Sequence, residues 1–131
     1  MDMETKSLAR REHLLRRLRE ICLRLPETVE TVKWGNPTFV AGKKMFAVLD
    51  RYHDRWCIAF RAHPRKQAEL IEQAGFFPAP YAAKHGWVCL DAEGKIDWPQ
   101  VEELLVASYR TVALKRMLTA IEVKAGRSRV R

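Results

Sequence analysis

Apolar side chains recur through the first 25 residues at helical spacing. Leu8, Leu15, Leu18, Cys22 and Leu25 follow one another at seven, three, four and three, with Leu14 and Ile21 alongside and Arg10, Arg16, Arg17, Arg19 and Arg24 on the remaining faces. This pattern predicts an amphipathic helix stopped by Pro26. Glu12 with Arg16 and Glu20 with Arg24 stand four apart in the favourable orientation, so part of the arginine content reads as solvated support for the helix. From Thr28 to Ala62 the period shortens. TVETVKW, PTFVA, KMFAVLD and RWCIAFRA are β-prone pieces separated by Gly35-Asn36-Pro37, Gly42-Lys43 and Tyr52-His53-Asp54. These breaks are turn chemistry at hairpin spacing and predict a four-stranded antiparallel meander. In the fourth piece Trp56, Ile58 and Phe60 share one face and Arg55, Cys57, Ala59 and Arg61 the other, which predicts a sheet with one apolar and one more polar side.

Pro64 opens PRKQAELIEQAG, a short helix with Ala68, Leu70 and Ile71 as core candidates and Gly75 in the capping position at its end. FFPAPYAAKH, with two prolines in three residues, reads as an irregular aromatic loop, GWVCLD as a fifth strand and AEGK as its turn. Asp97 is the expected N-cap of a last helix, with Pro99 in its first turn. There Val101, Leu104, Leu105, Ser108 and Val112 mark one face, whereas Leu114, Met117, Leu118 and Ile121 mark another, about 200° around the helical wheel. Either the helix breaks near Ala113 or its final turns pack on something else, such as a second copy of the chain.

The 131 residues are enough for one core and too few for two, and 47% apolar with 31% charged residues is a globular composition. A single domain over 1–122 is expected, followed by a basic stretch over 123–131 without periodicity, read as disordered. The N-terminus is charged where a secretory signal needs an apolar core, and no apolar run is long enough to span a bilayer, so a cytoplasmic location off the membrane is expected. Cys22, Cys57 and Cys89 are odd in number, lack a C-x-x-C pair and have apolar neighbours, as buried free thiols in a reducing compartment do. The net charge of +8 is uneven. Residues 1–24 carry seven basic and four acidic side chains, 123–131 four basic and none acidic, and 25–122 thirteen basic and twelve acidic. The ends are basic and the body is nearly neutral.

Catalytic chemistry finds little footing. Ser7, Ser108 and Ser128 lack a nucleophile-elbow context, the glycines are isolated rather than arranged as a phosphate loop, and no carboxylate pair has an acid/base spacing. His53, Asp54 and Cys57 could meet at a hairpin, but they fall short of a four-ligand metal site. No enzymatic activity and no cofactor are expected. What remains is the interleaving of basic and aromatic residues: Lys33-Trp34, Lys43-Lys44, Arg51-Tyr52, Arg55-Trp56, Lys84-His85 and Trp87. Hairpin wings with basic tips can follow a phosphate backbone while rings offer stacking faces. The competing reading makes the tryptophans core anchors. It is preferred for Trp56 and Trp98 and left open for Trp34 and Trp87.

Leu25-Pro26-Glu27, Trp34-Gly35, Pro37-Thr38-Phe39, Lys44-Met45-Phe46-Ala47, Phe76-Phe77-Pro78, Pro80-Tyr81, Gly86-Trp87-Val88, Leu90-Asp91, Asp97-Trp98 and Ser108-Tyr109-Arg110 occur in an order and spacing that resemble the YjbR/MmcQ family from about Arg16 to Met117. The resemblance implies a CyaY-like, or frataxin-like, α+β fold: two layers, with terminal helices on one face of an antiparallel sheet of about five strands. It also implies a DNA-binding role for a double-wing surface, with Trp34-Gly35, Lys44 and the segment Lys84 to Trp87 lining one end of the sheet. Here Ala82 and Ala83 precede Lys84, and Gly86 separates His85 from Trp87, where many relatives carry an asparagine and a second basic residue before a histidine-tryptophan pair. Iron handling, which the frataxin-like fold also suggests, calls for an acidic ridge, whereas this first helix is arginine-rich.

The sequence therefore yields two expectations. The first is a non-enzymatic DNA-binding module using the basic ends with Lys33, Trp34, Lys43, Lys44, Lys84, His85 and Trp87. The second is an interaction or small-ligand domain with an aromatic pocket around Phe76, Phe77, Tyr81 and Trp87, dimeric through its C-terminal helix.

Overall fold

A computed structural model describes residues 2–130, with side chains described for 2–124. Helix α1 (Met3–Cys22) begins at Asp2, whose carboxylate accepts the backbone N–H of Thr5. This cap satisfies one of the orphan donors of the first turn. The helix buries Leu14, Leu15, Leu18, Ile21 and Cys22, while Leu8, expected in the stripe, is exposed, the adjacent Ser7 being the residue that meets the sheet by accepting the indole N–H of Trp56. The meander follows as β1 (Thr28–Lys33), β2 (Asn36–Ala41), β3 (Lys44–Tyr52) and β4 (Arg55–Arg61), every neighbour antiparallel.

Helix α2 (Pro64–Leu70) buries Leu70 alone; Ala68 and Ile71 are exposed, because so short a helix presents only one residue inward. The loop reading of FFPAPYAAKH is corrected at its start. Phe76–Pro78 forms a strand, β5, so that with β6 (Trp87–Asp91) the sheet has six strands rather than five, in the order β1-β2-β3-β4-β6-β5. Pro78 is admissible there because β5 is an edge strand.

Helix α3 (Trp98–Val112) is capped by Asp97 and ends at Ala113, whose extended backbone separates it from α4 (Lys115–Val130). The change of phase is thus a break. Met117 of α4 is fully buried in the same core as α1 and α3, with its Cε 3.4 Å from where a Cβ on Gly42 would stand. The backbone of α4 runs through the stretch 123–131 as far as Val130; Arg131 lies outside the described residues.

One face of the sheet, with Phe39, Leu49, Trp56, Ile58, Phe60 and Val88, packs beneath α1, α3 and Met117. The opposite face corrects the expectation of a polar side. Cys57, Ala59, Ala79, Trp87 and Cys89 form a second, smaller apolar cluster with Met45, Val48, Phe77 and Ala82 around it. Small side chains on β4 and β6 let the loop after β5 close over them. All three cysteines are free and buried, and burial raises the thiol pKa of Cys22.

Candidate nucleic-acid interface

In a meander successive turns alternate between the two ends of the sheet. Lys33 and Trp34 occupy the β1–β2 turn, whereas Lys43 and Lys44 occupy the β2–β3 turn and its exit. The six residues of β2 separate the two, roughly 17 Å at ~3.3 Å per residue. The one-ended surface expected from the resemblance is therefore corrected: Trp34 lies at one end, and Lys44 and the Lys84 segment lie at the other.

The Lys43 end is assembled from four elements. β3 begins at Lys44, and the register of β3 on β4 and of β4 on β6 brings Arg61 opposite Trp87 at the same end. The N–H of Ala62 donates to the carbonyl of Gly86 at 2.9 Å and so fixes the short 3₁₀ turn Ala83–His85 beside it. Two strand spacings, on the order of 10 Å, thus separate β3, which Lys44 opens, from β6, which the turn carrying Lys84 precedes. Gln67 of α2 donates to the carbonyls of Ala83 (2.8 Å) and Trp87 (3.2 Å), which holds the first turn of α2, with Arg65 and Lys66, against the same end.

Electrostatics distinguish the two ends. Among the described residues no carboxylate lies within 4.0 Å of Lys43, Lys44, Lys84 or Arg65, and all four are exposed. Arginines elsewhere are engaged: Arg19 with Glu30 at 2.6 Å, Arg55 with Asp91 at 2.7 Å and Arg116 with Glu27 at 2.7 Å. At the other end Lys33 is paired in register with Asn36, whose amide donates to Asp50 at 3.0 Å, and Asp54, Asp91 and Glu93 stand nearby on the turn and strand ends. Lys33 and Trp34 therefore sit in a mixed field, and the Lys43 end is the basic one.

The tryptophans divide. Trp56 is 6% exposed and its indole N–H donates to Ser7, and Trp98 is half-buried under Arg17, so both are anchors as expected. Trp87, left open, is buried on the far face with the Arg61 guanidinium 5.0 Å over its ring. Arg61 also donates to the carbonyl of Met45, and burial lowers its pKa. Trp34, also left open, is 86% exposed. His85 is exposed and no hydrogen bond from its ring is found. Thus Trp87 builds the interface from beneath and cannot stack on a ligand, while Lys43, Lys44, Lys84 and His85 are available to one.

The aromatic pocket takes a different form from the expected one. Phe76 and Phe77 join Tyr52, His53, Arg55 and Asp91 around a cavity of about 340 Å³ at the Trp34 end, with Tyr52 stacked on Phe77 at 5.7 Å. Trp87 belongs to the far-face cluster, and Tyr81 projects from the loop after β5 at the basic end. His53 and Cys57 both border this cavity, but Asp54 does not join them. Among the described residues no three potential metal ligands lie together. Arg65 and Lys66 were missed as site residues because α2 was read only for its apolar stripe; their position one turn past the end of β4 was the available signal.

The family model YjbR matches residues 23–111, more than half of the chain. No curated protein matches. Two solved structures share the fold. A Deinococcus radiodurans protein with a DUF419 domain aligns at 24% identity over 80% of this chain and 85% of its own, with a TM-score of 0.66. A Pseudomonas syringae protein aligns at 16% identity over 77% and 97%, with a TM-score of 0.62.

Proposed function

The chain belongs to the YjbR family, and from that premise we propose that it is a non-enzymatic nucleic-acid-binding module that grips the phosphate backbone of DNA at the basic end of its sheet. The observation that carries the reading is the convergence of Lys43, Lys44, Lys84 and Arg65, from three separate elements, on one end where none of the four is paired with a carboxylate among the described residues, the neighbouring Lys66 meeting Glu69 at 4.0 Å. Binding of this kind releases counterions, is steeply salt-dependent and carries little base preference. Glu27 pairs with Arg116, and Tyr109 donates to the carbonyl of Pro26 at 2.7 Å; these bonds fasten the loop after α1 to α4 and α3 and leave the lysines as the contact groups. The frataxin-like relationship belongs with this reading and is supported by the element order, as does a reducing cytoplasmic setting, supported by three buried free thiols.

A duplex titration at two salt concentrations tests the proposal. Replacing Lys43, Lys44 and Lys84 by alanine is expected to weaken binding and to make the slope of log K against log salt shallower by about 2 to 3. Binding that is absent at low salt, or that ignores salt, contradicts it.

A second reading, a small-ligand or interaction domain, draws on the cavity of about 340 Å³, which has an apolar lining closed by the Arg55–Asp91 pair. Its volume is at the lower end for ligand sites. On this reading a bound ligand would quench or shift the signal of the neighbouring Trp56. The dimer that accompanies it would use the exposed Leu114 and Val123 of the α4 segment, and light scattering on a Leu114→Glu variant checks it through the mass per particle.

A further inference from the structure

Tyr81 is 99% exposed and stands at φ +62°, in the left-handed region that bulky residues rarely enter. The N–H of Ala82 donates to the carbonyl of Pro80 at 2.7 Å, closing a γ-turn with Tyr81 at its centre. With a positive central φ this turn is the rare, strained form. The loop is pinned on both sides, by Ala79 N–H to Trp87 carbonyl at 3.3 Å and Ala83 N–H to Ala79 carbonyl at 3.0 Å, so the ring is held outward rather than left to fold back. Strain of this kind persists where the surrounding structure enforces it, and it concentrates at functional positions. Such a ring is unusual, since tyrosine ordinarily buries part of its surface.

Its location supplies the second observation. Tyr81 precedes Lys84 by one turn and lies at the end of the sheet that carries Lys44. The other exposed rings on a left-handed backbone, Trp34 at φ +51° and His53 at φ +50°, belong to the end where Asp50 and Asp54 stand. Among the described residues Tyr81 joins a fully open phenol ring to the basic surface of Lys43, Lys44, Lys84 and Arg65, one turn before the exposed His85.

We infer that Tyr81 is a stacking residue for an unpaired base, and that the basic end takes single-stranded nucleic acid in preference to duplex. This rests on the nucleic-acid reading above and sharpens it. The lysines hold the backbone, and an exposed base lies on the tyrosine ring, a contact that paired bases inside a duplex do not offer. Base–aromatic stacking tolerates any sequence because every base has a π-face.

The test uses the full chain with a single-stranded oligothymidylate carrying one 2-aminopurine, and with the same strand annealed to its complement. Wild type is expected to bind the single strand more tightly and to quench 2-aminopurine. Tyr81→Ala should weaken single-strand binding by about 5- to 100-fold, leave duplex binding within about 2-fold and leave the salt slope unchanged, since no charge is lost. Tyr81→Phe should retain binding. Tyr81→Asn, which suits the left-handed backbone, should lose single-strand binding while its urea midpoint stays at or above wild type, which separates stacking from folding. Equal single-strand affinity for wild type and Tyr81→Ala overturns the inference. So does a preference for duplex that Tyr81→Ala abolishes, which would make the ring a wedge between paired bases. If neither probe binds, or if Lys44→Ala and Lys84→Ala leave both unchanged, the nucleic-acid reading itself fails and this inference falls with it.

Discussion

Gly86 stands at φ +88°, and a Cβ there would lie 2.8 Å from the carbonyl oxygen of Ala62. Both facts exclude a side chain, and the Ala62–Gly86 hydrogen bond depends on the close approach. Gly86→Ala is therefore expected to destabilise the fold by about 1–3 kcal/mol in urea unfolding, with a matching loss of affinity because Lys84 and His85 ride on the same turn. Ser108 is the companion case. Its hydroxyl donates to the Phe46 carbonyl and accepts the Arg61 N–H at 2.8 Å, tying α3 to the start of β3 and the end of β4. Ser108→Ala should cost about 1–3 kcal/mol by leaving that buried N–H unpaired. Binding by the protein that remains folded should be unchanged. The sequence put Ser108 on the inward face of the last helix and Gly86 in a family-like segment, but neither bond was legible there, since each depends on a residue far away in the chain.

Among the elements, the meander and the terminal helices were legible because period and turn residues are local signals. β5 was not. Three residues ending in proline carry no alternation, and their strand identity comes from pairing Phe77 with Cys89 across β6. The far-face cluster escaped for a similar reason: Cys57 and Ala59 share their face of β4 with Arg55 and Arg61, and that face becomes apolar only where the Phe77 and Trp87 side chains close around it. The arginines of α1 act as support in part, but not through the expected Glu12–Arg16 and Glu20–Arg24 pairs. Glu12 meets Arg11, Glu20 meets Arg17 and Arg24 reaches Glu102 of α3. Arg19 shows the tightest case. Its bidentate bond to Glu30 fastens α1 to the edge strand β1 and holds the Glu30 carboxyl below its ordinary value of 4.5. A carboxyl lowered on folding adds stability that is complete above its unfolded value and is lost as pH falls through the folded one. Between about pH 5 and pH 3, Glu30→Gln should therefore show a flatter decline of unfolding free energy than wild type, measured by urea midpoints.

For the molecule as a whole, the sum of charges said less than their topology. The nearly neutral body conceals two unlike ends, and alternation of turns in a meander, a consequence of strand order alone, already separates Lys33-Trp34 from Lys43-Lys44. Lys84, which the resemblance placed with Lys44, is brought there by the β4–β6 pairing, whereas Arg65, which the sequence did not single out, reaches the basic end through the Gln67 bonds. The central claim is that this end, rather than the basic C-terminal stretch, grips nucleic acid. The most direct measurement compares salt slopes of DNA binding for two full-length variants. One replaces Lys43, Lys44, Lys84 and Arg65 by glutamine; the other replaces Lys124, Arg127, Arg129 and Arg131. Each loses four positive charges, so net charge is matched. The account predicts a slope shallower by about 3 in the first and nearly unchanged in the second; the reverse result, with affinity lost only when the C-terminal charges go, would contradict it.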